Sequence, residues 1–200
     1  MKKVSKISDV FKKVKQEWFK DLAVIDLNGI DMAEKKRRIL EGIKECVKKN
    51  SLVVMEGTEG ADGVFADFDS GNGKITVMIL YRESNDFLEI YASLDNLLPK
   101  RVKHKALYEM LCLLNARLSA WHFIVKPHTR VFAANAGIFL TNHFSLQELF
   151  LLLRHVLVSM VLYLDVIDEF LASDKTPEAI LAEHDERFRM EAEQNQDLFE

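Results

Sequence analysis

The sequence predicts an α+β fold: an antiparallel sheet, made of a meander plus a C-terminal hairpin, packed by helices. Three observations predict it. Apolar residues recur at three- and four-residue steps towards both ends of the chain, the spacing of amphipathic helices. Between them the pattern changes to short β-rich runs, "VFADFD", "KITVMILYR" and "FLEIYASL", separated by turn residues. The order helix, meander, helix, hairpin, long helix segregates helices from an antiparallel sheet and does not alternate them with parallel strands. Two hundred residues, 48% hydrophobic, fit one domain with short appendages and a real core. The expected organisation is a basic amphipathic helix over 1–30, one α+β domain over 31–173 and an acidic helical tail over 174–200.

In the head, Val4, Ile7, Phe11, Val14 and Trp18 share a helical stripe, with Lys3, Lys6, Lys12, Lys13 and Lys20 on the other faces. Such a helix packs back on its own domain, or else lies on a partner or a membrane surface as a peripheral contact. Asn28-Gly29 breaks the chain, and Asp31 with Glu34 forms a capping box for a helix whose buried stripe is Ile39, Ile43, Cys46 and Val47. In the meander, "LVVME" precedes "VFADFD". Gly71-Asn72-Gly73 and Ser84-Asn85-Asp86 supply turns, since Gly and Asn tolerate positive φ. Ile75, Val77, Ile79 and Tyr81 point to one face and Met78 and Leu80 to the other. "NLLPKRV" is a loop. Leu107, Met110, Leu111, Leu114 and Leu118 then mark one side of a helix, and "FIVKPHTRVFAANAGIFL" reads as a hairpin turning at Lys126-Pro127-His128-Thr129. Ser145 with Glu148 opens the longest helix, roughly 146–172, and Thr176-Pro177 starts the tail helix.

The chemistry legible in the residues is mostly negative. The six histidines show no i, i+4 pair on a helix and there is no Cys-x-x-Cys, so neither metal nor cofactor is expected. "DSGNGK" joins two strands and lacks Walker spacing, and "GTEGADG" is likewise a loop. Asp67 and Asp69 share one strand face, read as a solvated face and not an acid–base pair. No Gly-x-Ser-x-Gly elbow occurs. "KKRR" at 35–38 is flanked by Glu34 and Glu41, lacks interleaved aromatics, and belongs to a chain of net charge −4, so nucleic acid is not an expected partner. Charge is uneven: residues 1–50 carry 14 Lys/Arg against 8 Asp/Glu, and residues 174–200 carry 3 against 9. Cys46 and Cys112 both sit in apolar helical surroundings, as for reduced thiols in a cytosol. The start of the chain lacks the apolar core of a signal peptide. The most apolar run, "VLVSMVLYL", is nine residues against the roughly 20 of a membrane span, so a cytoplasmic location is expected.

The long helix is the informative element. Leu146, Leu149, Phe150, Leu153, Leu157, Met160, Val161 and Leu164 make one core stripe, which is what a helix on a sheet needs. Leu151, Val158 and Leu162 line a different stripe, with Leu152, Tyr163, Val166 and Phe170 to the side. Monomers rarely expose large apolar patches, so this second face is expected to be covered. The available covers are the head helix, the tail helix, a second copy or a client protein. The sequence reading places another chain there, with Leu151, Val158 and Leu162 as its binding residues.

"LLPKRVKHKALYEMLCLLNARLSAWHFIV", the hairpin through "RVFAANAGIF" and the helix opened by "SLQELFLLL" resemble the YbjN-domain family, over roughly residues 35–172. In that pattern a helix ending in Leu-Asn is followed by a strand starting near a Phe; Leu114-Asn115 and Phe123 occupy those places. The resemblance implies a bacterial protein with a fold similar to type III secretion chaperones, small proteins that often pair and hold other polypeptides. It also implies a sensory or regulatory role with no catalytic residues to carry over. Asn115, near a helix end, is read as bonding backbone of the following turn and strand, with Phe123 plugging the core. The expected function is a non-enzymatic, protein-binding adaptor or chaperone-like regulator, working as a homodimer or on a client. The alternative is a small-molecule sensor or enzyme with a pocket between sheet and helices.

Overall fold

Along the fourth strand, Ile75, Val77, Ile79 and Tyr81 are buried while Thr76, Met78 and Leu80 are half-buried, so one side of the sheet is core and the other is partly open. The computed structural model describes residues 23–49, 53–54, 63–69, 74–94, 104–126, 128 and 131–194. The head stripe at 4–18, the Gly71-Asn72-Gly73 turn, most of "GTEGADG", all of "NLLPKRV" and the last six residues of the tail lie outside the described residues.

The elements are β1 (Val24–Asp26), α1 (Met32–Lys49), β2 (Val53–Val54), β3 (Gly63–Asp69), β4 (Lys74–Arg82), β5 (Phe87–Leu94), α2 (His104–Asn115), β6 (Trp121–Lys126), β7 (Val131–Phe139), β8 (His143–Ser145), α3 (Leu146–Ala172) and α4 (Pro177–Gln194). Six strands form an antiparallel sheet in the order β2-β3-β4-β5-β7-β6, and β1 pairs with β8 in a separate two-stranded sheet. The expected α+β fold of meander, hairpin and packing helices is what the chain adopts. The hairpin enters the sheet by its second strand: β7 pairs with β5, Ile90 opposite Ala136, and β6 becomes the edge.

Helices cover one face. α1 packs on β2 and β3, α3 on β5 and β7, α2 on β6, and α4 on α2 and α3. Ile39, Ile43, Cys46 and Val47 are buried from α1, and Leu107, Met110, Leu111 and Leu114 from α2. Cys112 departs from its expected apolar setting and lies on the exposed side of α2. Val64, Ala66, Phe68, Leu88, Ile90, Ala92, Phe132, Ala134 and Phe123 complete the core from the sheet. Burying each large aliphatic or aromatic side chain is worth about 1.5–3 kcal/mol, and that is what holds the two layers together.

Local signals explain most boundaries. The Ser145 Oγ accepts the Glu148 N–H at 3.3 Å, and the Thr176 Oγ1 accepts the Ala179 N–H at 3.3 Å with Pro177 in the first helical position. At α1 the Asp31 carboxylate accepts the Glu34 N–H at 2.9 Å, but the Glu34 carboxylate takes Arg37 and Arg38, so the reciprocal half of the capping box gives way to charge pairing. Between β4 and β5 the positive φ falls on Asp86, at 49°, after a 3-10 turn over Glu83–Asn85. Asp86 is held there by Tyr81, which donates to it at 2.7 Å, and by Lys35 of α1 at 2.7 Å. Two residues of the basic run thus tie α1 to this turn, Lys36 doing so through Glu83 at 2.7 Å.

Two elements were absent from the sequence reading. β1 lies in the stretch assigned to a head helix, and its register pairs Ile25 with Phe144. β8 lies between the expected hairpin and α3, where the sequence reading placed no strand. In the stretch assigned to an acidic tail, α4 buries Ile180 and Leu181 in the common core.

Candidate protein-binding surface

α3 is apolar because it sits between three neighbours. Every member of its expected core stripe is buried, and Val156, Val166, Ile167 and Phe170 are buried as well. By length and composition α3 could cross a membrane; here that apolar character is spent largely on the sheet, α1 and α4. At about 100° per residue, Leu151, Val158 and Leu162 fall within about 40° of one another on the side opposite the sheet. Leu151 is 44% exposed, whereas Val158 and Leu162 are half-buried and packed against the edge of the core. His155 is exposed beside them, and Glu148 and Asp165 fringe the same stripe.

α4 closes the other end of α3. Arg187 donates to Glu169 at 2.8 Å, and Lys175 pairs with Glu183 at 2.6 Å. The Tyr163 ring meets the His184 ring at 5.5 Å, and Arg117 after α2 pairs with Asp185 at 2.6 Å. The amphipathic tail therefore covers the flank of Tyr163, Val166 and Phe170, and Leu151, on the second turn of α3, stays open.

His184 of α4 is largely buried: its side chain is 15% exposed. Burial pushes its imidazole below the usual value near 6.5. Asp185 would favour the charged ring from 3.7 Å, but Arg117 already holds that carboxylate, and Arg187 and Arg117 add positive charge nearby. The unfolded chain therefore binds a proton at His184 more readily than the folded one. Its contribution to stability is present above about pH 6.5 and is lost as the pH falls below that value. Thermal melting should show this: His184→Gln is expected to flatten the fall in melting temperature between about pH 7 and 5.5, and an unchanged slope would assign the acid sensitivity elsewhere.

The edge of the sheet at β6 is occupied by a side chain. The Asn115 Nδ2 donates to the Phe123 carbonyl at 3.0 Å and its Oδ1 accepts the Phe123 N–H at 2.6 Å. One amide thus mimics a neighbouring strand for one residue, as the sequence reading of Asn115 expects. Phe123 is buried and stacks on Phe132 at 5.1 Å, with Tyr163 edge-on at 5.8 Å. Beside it Trp121 stacks on His155 at 5.6 Å.

The sheet face away from the helices carries a network that sequence reasoning missed. Glu89 accepts from Tyr91 at 2.7 Å, from Arg82 at 2.7 Å and from Asn135 at 3.2 Å. Burial pushes the Glu89 carboxyl up, but these donors and the Arg82 charge hold it below its usual range; burial and the bond to Glu89 push the Tyr91 hydroxyl up. A saturated carboxylate and a reluctant phenol suit structure better than proton transfer. Asp67, read as solvated, is half-buried on this face and pairs with Lys74 at 2.7 Å and Thr76 at 3.2 Å. The apolar side chains here lie flat: a Cβ on Gly137 would stand 2.0 Å from the Phe87 ring and one on Gly63 would stand 2.5 Å from Leu80. No signal short of the strand register could have brought Arg82, Glu89 and Asn135 together. Among the described residues no three His, Cys, Asp or Glu groups converge as metal ligands.

No family model matches the chain, and no curated protein matches it. Among solved structures, the crystal structure of YbjN from E. coli, provisionally described as a transcription regulator, is similar at a TM-score of 0.47 and 12% identity, covering 66% of this chain and 93% of that one. The functional reading below rests on this chain's own residues.

Proposed function

We propose that this chain is a non-enzymatic protein-binding module, an adaptor or chaperone-like regulator, that engages a protein through the outward stripe of α3. The observation that carries the reading is Leu151, a large apolar residue of α3 that is 44% exposed, in line with Val158 and Leu162. A leucine left wet forgoes about 1.5–3 kcal/mol that an apolar partner surface would recover. Glu148, His155 and Asp165 give this stripe a polar fringe, the usual anatomy of an interface with an apolar centre. The partner is either a second copy or a client chain.

The test replaces two of the three stripe residues. Leu151→Glu with Leu162→Glu would force two charges to desolvate on association. Light scattering is expected to show a wild-type dimer becoming a folded monomer; for a monomeric wild type, capture of a protein from native lysate is expected to be lost in the variant. A wild type that neither self-associates nor captures protein, or a variant that associates undiminished, overturns the reading.

A further inference from the structure

The accessible part of α3 is short. Gln147, Glu148, Leu151 and His155 are exposed, whereas from Val156 to Leu171 no residue of this helix is. Its wet surface is therefore the first three turns, centred on Leu151. The polar groups of this patch are uncommitted: among the described residues the Gln147 amide, the Glu148 carboxylate and the His155 nitrogens make no hydrogen bond or ion pair. Trp121 stacks on His155 at 5.6 Å and so orients the imidazole without occupying its nitrogens.

Spacing makes the patch its own complement. At about 1.5 Å and 100° per residue, Glu148 lies about 4.5 Å before Leu151 along the axis and His155 about 6 Å after it, both on one flank. On the other flank Gln147 lies about 6 Å before and Arg154 about 4.5 Å after. A second α3, turned end for end and laid on the first at Leu151, is related to it by a two-fold axis running across both helices. Each flank then meets the same flank of the partner. Glu148 of each chain comes level with His155 of the partner subunit, and Gln147 with Arg154 of the partner subunit, to within about 1.5 Å.

We infer that two copies of this chain pair α3 against α3, antiparallel about a two-fold axis at Leu151, with the two Leu151 side chains in contact and Glu148 of each chain bonded to His155 of the partner subunit. The inference rests on the protein-binding reading of this stripe and names its occupant. A two-fold interface presents one patch to itself, so every donor needs an acceptor placed symmetrically about the axis. Glu148 and His155 meet that requirement, which a client's surface would not impose. The imidazole N–H donates to the carboxylate, a charge-assisted bond. Three turns of helix bury less than the roughly 1,200 Å² of a stable pair, so the dimer is weak and reversible.

Sedimentation velocity of the full-length chain over roughly 1–500 μM tests it. The wild type is expected to pass from monomer to dimer within that range. His155→Glu sets carboxylate against carboxylate twice in each dimer and is expected to weaken pairing about tenfold or more. Glu148→Lys removes the acceptor and is expected to weaken it as well. Mixed one to one, the two variants are expected to associate about as tightly as the wild type. In the mixed dimer the introduced carboxylate faces the introduced ammonium, and the remaining Glu148 faces the remaining His155. A wild type that stays monomeric, a His155→Glu chain that pairs as the wild type does, or a mixture no tighter than its components overturns the inference. It fails separately from the broader reading. A dimer indifferent to these charges but lost in the Leu151→Glu, Leu162→Glu chain sinks this geometry and leaves the binding surface standing. So does a monomeric wild type whose capture of a protein is lost in that chain. A dimer that survives the double-Glu change sinks both.

Discussion

Asn115→Ala is expected to lower stability by about 2–3 kcal/mol, because it leaves both the N–H and the carbonyl of Phe123 without their partner at a half-buried edge. Urea denaturation would register it as a lower midpoint with an unchanged slope. Asn115→Asp is the informative companion. It keeps an acceptor for the N–H but faces the carbonyl with a second oxygen, so it should recover little of the loss. A midpoint unmoved by both substitutions would show that the amide is incidental. The alanine variant also bares backbone at β6, so it is expected to aggregate at lower concentration than the wild type.

Ile180→Asp is expected to cost about 3–5 kcal/mol, the size of effect that follows from placing an unpaired charge in a site shaped for an aliphatic side chain. Ile180 is 0% exposed, with Leu181 beside it in the same core. The damage should be local first. Amide exchange in 177–194 is expected to accelerate before that in β4 and β5, because α4 packs on α2 and α3 and adds no strand to the sheet. Loss of less than about 1 kcal/mol would instead identify residues 174–200 as a dispensable tail, the division drawn from the sequence, with α4 resting on the domain without supporting it.

Periodicity made α3 readable almost to the residue, because its core positions repeat from Leu146 to Phe170 and Ser145 caps its start. It also separated the faces of β4, where Ile75, Val77, Ile79 and Tyr81 alternate with smaller burial between them. What stayed hidden depends on partners distant in sequence. β1 and β8 are three residues each, too short for any period to show, and exist because Ile25 finds Phe144. The insertion of β7 beside β5 cannot be seen in either strand alone. The Glu89 cluster needs β4, β5 and β7 in register before its members become neighbours. The stripe on α3 was legible as a surplus of apolar residues; that Val158 and Leu162 are half-covered while Leu151 is not follows from tertiary packing. His184 looked polar in a polar tail, and only the docking of α4 against Tyr163 dehydrates it.

The small β1–β8 pairing has a consequence for how the chain is made. It joins Val24 to Ser145, so its two strands leave a ribosome about 120 residues apart. Until β8 emerges, β1 has no partner. Closing so long a loop is entropically slow, and folding rates fall as such distant contacts multiply. β1 must therefore wait, its edges unpaired, until most of the polypeptide has been made. In that interval it is open to a nascent-chain chaperone.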